Sequence, residues 1–251
     1  MLNTTSTATN FKAPVAPRMP KTDRIGEAFE LLQASLPVMR RVVREGDRVY
    51  QAGQRMDCLY VIHSGSFKTV NLAQDGREQV VGLHMKGDWL GFDGIAEGQH
   101  TCDAVAMDIG EVWSVQYAAL MLSCARQPAL LSLVHSVMSR EITRDRNSML
   151  SLCTLPANAR VADFLRGWAE ALAERGLRTD QITLRMSRAE IGNYLGMTLE
   201  TVSRALSQLA RDNVIGFPEK GRRHVQIPDV DALARFVHRS VSAEQPVPLL
   251  Q

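Results

Sequence analysis

From about Val42 to Val115 the chain runs as short apolar segments broken by turn residues, with no helical stretch between them. It reads VVREGDRVYQAG, then LYVIHSGSFKTVNL, then AQDGREQVVGLHMKGDWLGF. Val49, Leu59, Val61, Phe67, Val70, Val80 and Leu83 lie in runs of strand length, and Gly recurs at 46, 53, 65, 76, 82, 87 and 91. Asp75-Gly76 between two such runs is a hairpin signal. Parallel α/β folds need a helix between successive strands, so this texture disfavours them. It predicts a sandwich, a barrel or a jelly roll.

Near Tyr117 the texture changes. From Pro128 to about Leu152 there is no Gly and no internal Pro. Leu131, His135, Met138, Ile142, Asp145, Met149 and Leu152 follow a 4-3-4-3-4-3 spacing, which puts all seven on one stripe of a long helix. A stripe this long and narrow suits a partner helix, so these seven form the expected dimer interface. The alternative is a helix packed on its own domain. Asp145 is the odd member. In a two-fold dimer it approaches its own copy, and like charges at a seam are costly unless Arg140, Arg144 or Arg146 neutralises them. Pro156 then breaks the helix and Asn158 is placed to cap the next one, 157–175, which Gly176 ends.

The most informative stretch is ITLRMSRAEIGNYLGMTLETVSRALSQLARDNVIGFPEKGRRHVQI. Ser187 and Glu190 form a capping box, in which the hydroxyl caps the helix and the acid reaches back. The first short helix runs to about Leu195, and Gly196 supplies a tight turn. Thr198 caps a second helix that runs to about Asp212. Ala189, Ile191, Leu195, Val202, Leu206 and Leu209 supply the apolar faces. The pair has the form of a helix-turn-helix, whose second helix touches base edges with its N-terminal residues. Glu200, Ser203 and Arg204 are the expected base readers: Arg204 can grip guanine O6 and N7, and Glu200 can accept from cytosine N4. VIGFPEKGRRHVQI reads as strand, turn, strand, with a basic tip. Arg188, Thr198, Thr201, Lys220, Arg222 and Arg223 are the expected contacts to the DNA backbone, which add affinity but no sequence information.

The rest of the composition restrains this reading. Over 251 residues the formal net charge is only +2, so any charge that binds nucleic acid is local. No apolar run approaches the roughly 20 residues that span a bilayer, and residues 1–25 have no signal-peptide core, so a flexible tail, a cytoplasmic location and no membrane partner are expected. The four cysteines, Cys58, Cys102, Cys124 and Cys153, are scattered and should be reduced there. Cys153, where the long helix meets the C-terminal domain, is the candidate redox sensor. His63, His84, His100 and His135 show no ligand spacing, so no metal is expected. Asp93, Glu97, His100, Cys102 and Asp103 read as a solvent-facing polar loop. A cupin-type enzyme would need clustered His and carboxylates, which are not visible, so no catalytic residue is assigned.

These residues resemble the CRP/FNR family of bacterial transcription regulators from about Val42 to Val237. GDWLGFDGI, Gly87 to Ile95, resembles the FNR-type turn, and MSRAEIGNYLGMTLETVSRALSQL, Met186 to Leu209, resembles the FNR-type DNA-binding signature. The resemblance implies an α+β chain: an N-terminal β jelly-roll sensor domain like a cyclic-nucleotide-binding domain, a long dimerisation helix, and a C-terminal winged helix-turn-helix. The expected divisions are a tail at 1–25, sensor at 26–127, dimer helix at 128–153, DNA-binding domain at 154–240 and a flexible tail at 241–251. E-x-x-S-R at Glu200, Ser203 and Arg204 implies a TTGAT-type palindrome on double-stranded DNA. The family also implies RNA polymerase as a partner, through surface loops such as Val80 to Asp88. Two departures follow. No cysteine precedes Cys58, which argues against an N-terminal iron–sulfur cluster. GFDGIAEGQHTCDAVA holds no Arg to neutralise a phosphate, which argues against cAMP. The chain is most similar to the cluster-less, FixK-like branch. The alternative is a receptor whose jelly roll binds a small molecule that controls DNA binding.

Overall fold

The computed structural model describes residues 21–72, 76–218 and 223–244. The strand-rich region forms two four-stranded sheets with antiparallel pairing throughout. One holds β1 (Met39–Val43), β8 (Gly110–Gln116), β3 (Cys58–Ser64) and β6 (Trp89–Leu90), in that order. The other holds β2 (Arg48–Tyr50), β7 (Asp103–Ala106), β4 (Ser66–Leu72) and β5 (Glu78–Met85). Val49, Tyr50, Ile62, Phe67, Leu90, Ala104 and Val112 fill the space between them. The alternate residues of β3 and β8, Leu59, Val61, Trp113 and Val115, face the other way. They pack on helices α1 (Lys21–Ser35), α2 (Tyr117–Arg126) and α3 (Pro128–Thr154). Both faces of this sheet are therefore covered, which is why β3 is apolar along most of its length. β4 and β5 pair from Ser66↔Met85 to Leu72↔Glu78, as the hairpin expected at Asp75-Gly76 requires. Asp75 itself lies outside the described residues.

Three expectations need correction here. The boundary at residue 25 cuts through α1, which begins at Lys21 because Phe29, Leu32 and Leu36 recur at helical spacing and bury in the sensor core. The C-terminal tail expected from 241 is still helical as far as Glu244. The polar loop at 93–103 turns inward: His100 is 2% exposed and stacks on Tyr50 at 3.7 Å, and Cys102 is buried beside it. Asp93 accepts from the Thr101 amide at 2.7 Å and lies 3.6 Å from His100 Nδ1. Cys102, Ala104 and Ala106 alternate toward the core as one strand face, so position overrode polarity. Only Glu97 of that group is fully exposed, and Asp103 pairs with Arg48 at 2.8 Å. Burial, then Asp93, pushes the Cys102 thiol up to about 12, which removes it as a thiolate.

Beyond α3 the chain turns at Leu155 and Pro156, both extended, into α4 (Ala157–Ala173). The C-terminal domain continues with β9 (Gln181–Thr183), α5 (Arg188–Tyr194), α6 (Leu199–Arg211), β10 (His224–Gln226) and α7 (Val230–Glu244). The expected strand-turn-strand over 214–227 takes a different form. β10 pairs with β9, which precedes the helix pair, while the 214–218 limb adds only the Gly216↔Gln226 bridge.

The two domains share apolar contact. Met85 and Met107 of the sensor join Trp168, Leu184 and Met186 in the C-terminal core. Beside this seam Asp88 receives Arg144 of α3 in a two-pronged pair at 2.8 and 3.2 Å, and Arg175, just past α4, at 2.9 Å. Burial raises the Asp88 carboxyl, but Arg144 and Arg175 outweigh it and hold it below the usual range. The Val80–Asp88 segment, expected as a surface loop, is strand as far as Met85, and Val81 and Lys86 in it are exposed. Val80 and Met85 are buried in β5, and Asp88 is the centre of a three-segment ion cluster.

Candidate DNA interface

α5 and α6 form because the sequence specifies both ends of each. Ser187 Oγ accepts from the Glu190 amide at 3.2 Å and Glu190 accepts from the Ser187 amide at 2.8 Å, completing the capping box. Gly196 adopts φ +62° in the turn, a left-handed backbone that a residue with a Cβ enters at a cost. Thr198 Oγ1 accepts from the Thr201 amide at 3.2 Å and so caps α6. Val202, Ala205, Leu206 and Leu209 are buried at helical spacing against Ile191, Leu195 and Trp168.

The opposite side of α6 is therefore outward. Glu200 and Arg204 are exposed, Thr198 is exposed at the helix start, and Thr201 and Ser203 are half-buried beside them. The Glu200 carboxyl lies below its usual range, held first by its own first-turn amide, then by the Thr198 hydroxyl, and also by Arg204. It is an acceptor at neutral pH, and Arg204 is a donor one helical turn away. The three residues expected to read bases thus lie toward the N-terminal end of α6 on its outward side.

The expected backbone contacts are more scattered. Arg188 is half-buried, with its guanidinium 5.8 Å over the Phe217 ring. Arg223 is exposed at the entry to β10, where its carbonyl accepts from the Leu184 amide at 2.8 Å. Lys220 and Arg222 lie outside the described residues.

On α3 the expected stripe faces away from its own domain. Ile142 is 47% and Met149 67% exposed, Leu131, His135 and Asp145 are exposed, and Met138 and Leu152 are half-buried. Among the described residues no cation pairs with Asp145, and Arg144 is committed to Asp88. Burial raises the Asp145 carboxyl and Arg144 opposes that rise. Cys153 is exposed in the last turn of α3. His84 is buried, bonded to Thr69 at 3.2 Å, and burial pulls it down to about 4, so it is neutral at pH 7. His63 stacks on Trp113. Among the described residues no group of three or more His, Cys, Asp or Glu is placed to hold a metal ion, and no helix is long and apolar enough to cross a membrane.

Sequence reasoning missed Lys68, Glu78, Gln79 and Asn193, which join the sensor to α5. The only signal was polarity, at three sensor positions more than a hundred residues from Asn193 in the chain.

A helix-turn-helix whose second helix keeps one face uncovered, flanked by the paired strands β9 and β10 and joined to a two-sheet sandwich, defines a DNA-binding regulator with a separate sensor domain. Comparison with known proteins agrees. A Crp-like helix-turn-helix domain model matches residues 159–236, and a cyclic nucleotide-binding domain model matches residues 40–126. The fumarate and nitrate reduction regulatory protein of Escherichia coli (strain K12) is 33% identical over 197 residues, 78% of each chain. The transcriptional regulatory protein btr of Bordetella pertussis is 34% identical over 191 residues, 76% of this chain and 79% of the relative. The structure of FixK2 from Bradyrhizobium japonicum superposes with a TM-score of 0.71 at 28% identity, covering 80% of this chain and 97% of that one. The chain belongs to the CRP/FNR family of transcription regulators, which are DNA-binding proteins and not enzymes.

Proposed function

We propose that this regulator acts in the cytoplasm as a homodimeric activator on a TTGAT-type palindrome, and that it recruits RNA polymerase there. The observation that carries the reading is the outward pairing of Glu200 and Arg204 on α6. The uncovered stripe on α3 supports the dimer, which would set two recognition helices roughly 34 Å apart, about one DNA turn. The RNA polymerase contact would use surface that stays exposed beside β5, such as Val81 and Lys86, since Asn193 occupies the Glu78 carbonyl and the Val80 amide. Neither an iron–sulfur cluster in the N-terminal segment nor cAMP is part of this reading: no cysteine precedes Cys58, and residues 91–106 contain no Arg. The other reading, a small-molecule receptor, keeps the same DNA chemistry and differs only in what controls it.

Fluorescence anisotropy with labelled duplexes tests the proposal. The wild type should prefer the palindrome to a scrambled duplex. Arg204→Ala should lose about 1–3 kcal/mol of that preference while keeping its non-specific affinity. Retained operator selectivity in Arg204→Ala would remove Arg204 from the base-reading set.

A further inference from the structure

β5 is the outer strand of its sheet, so one edge of its backbone has no strand beside it. Asn193, near the end of α5, takes that place. Its Oδ1 accepts from the Val80 amide at 2.6 Å, and its Nδ2 donates to the Glu78 carbonyl at 2.6 Å. Its own backbone carbonyl accepts from Gln79 Nε2 at 2.5 Å. A side-chain amide presents one donor and one acceptor as a peptide group does, so Asn193 reproduces the pairing a neighbouring strand would offer. At the other end of the same helix, Lys68 of β4 donates to the capping-box acid Glu190. Burial raises the Glu190 carboxyl, but Lys68 and Ser187 outweigh it and keep it ionised for that contact. Both ends of α5 are therefore fastened to the β4–β5 hairpin.

α5 is fastened equally firmly to α6. A Cβ at Gly192 would come within 2.6 Å of the Met197 carbonyl, so the backbone of α5 lies directly against the turn that leads into α6. Ile191 and Leu195 share a core with Val202 and Leu206. Arg160 bonds the Leu195 carbonyl at 3.1 Å and the Leu155 carbonyl at the domain turn at 2.8 Å. Any tilt of α5 on the sensor is then a tilt of the recognition helix.

We infer that Asn193 is a positioning residue for DNA recognition: by pairing with the free edge of β5 it sets the angle at which α6 is presented, and so the separation of the two recognition helices in a dimer. Asn193 need not touch DNA to do this. The inference rests on the dimeric palindrome reading above, and it predicts an effect that depends on half-site spacing. A residue that merely stabilised the domain would weaken a single half-site and the palindrome alike.

The experiment compares wild type, Asn193→Ala, Asn193→Asp and Lys68→Met by anisotropy. The probes are the palindrome, a single half-site, and palindromes with one base pair added to or removed from the spacer, with thermal melts alongside. Asn193→Ala removes two hydrogen bonds at the hairpin. It should bind the palindrome about tenfold more weakly, bind the half-site within about twofold of wild type, and discriminate less against wrong spacers. Asn193→Asp keeps the acceptor for Val80, loses the donor for Glu78, and should fall between. Lys68→Met leaves the C-terminal domain untouched and should show the same signature at smaller size, which keeps the test open if Asn193→Ala folds poorly. Wild-type spacer discrimination in both Asn193→Ala and Lys68→Met, or equal losses on half-site and palindrome, would overturn the inference while leaving the dimer reading in place. A wild type with no preference for the palindrome over the half-site would overturn the dimer reading and this inference with it.

Discussion

α3 carries two stripes one residue apart, with the same spacing and opposite fates. On the inner stripe Leu130, Val134 and Val137 bury in the sensor core. The same stripe then turns polar: Glu141 and Arg144 follow, and Ser148 meets the Tyr194 hydroxyl at 3.3 Å. The change begins while the helix still lies on the jelly roll, where Arg144 meets Asp88, and continues to the C-terminal domain at Ser148. On the outer stripe Leu131, Ile142 and Met149 stay exposed along the whole length, interrupted chiefly by Asp145. The inner face is thus spent on the fold and then on the coupling of domains. The outer face contributes little to the lone chain, and under the proposed dimer it serves assembly.

Variants on the two faces should separate these roles. The largest effect belongs to the ion cluster that the inner stripe feeds. Asp88→Ala leaves two arginines without their shared partner and should cost about 3–5 kcal/mol in urea melts. The effect should depend on pH. Because the arginines hold the Asp88 carboxyl low, its stabilisation is present above the ordinary value of 3.8 and is lost as pH falls through the lower folded value. A difference between wild type and Asp88→Asn that grew in acid would contradict the assignment. Next comes the matched pair of truncations. Leu130→Ala should cost about 2–5 kcal/mol of chain stability by opening a cavity. Ile142→Ala should leave the lone chain within about 0.5 kcal/mol and weaken self-association in sedimentation runs. Equal losses of chain stability would erase the distinction between the faces. The smallest change is at Asp145. Removing its charge with Asp145→Ala should tighten the dimer by about 1 kcal/mol, because like charges across a two-fold axis repel. An unchanged dissociation constant at low salt would place Asp145 off the axis.

Legibility followed distance along the chain. The capping box at Ser187 and Glu190, the Gly196 turn, the Thr198 cap and the limits of α3 all rest on interactions within four residues, and each lies where the spacing put it. The outward side of α6 was legible for the same reason, since a helix that buries Val202, Leu206 and Leu209 must turn Glu200 and Arg204 outward. Long-range contacts were not legible. Asn193 reads as an ordinary polar helix residue until β5 is seen to end its sheet beside it. Asp88 sits in a turn that looks solvated until Arg144 and Arg175 arrive from 56 and 87 residues further on (144 − 88 and 175 − 88). His100 and Cys102 look like loop surface until Tyr50 is stacked over the ring.

The free edge of β5 has a consequence for handling the protein. Unpaired amides and carbonyls along an outer strand recruit other strands, and proteins guard such edges against it. Here the guard is the C-terminal domain itself, through one asparagine. A molecule whose domains swung apart would free the Glu78 carbonyl and the Val80 amide and offer a template for sheet growth.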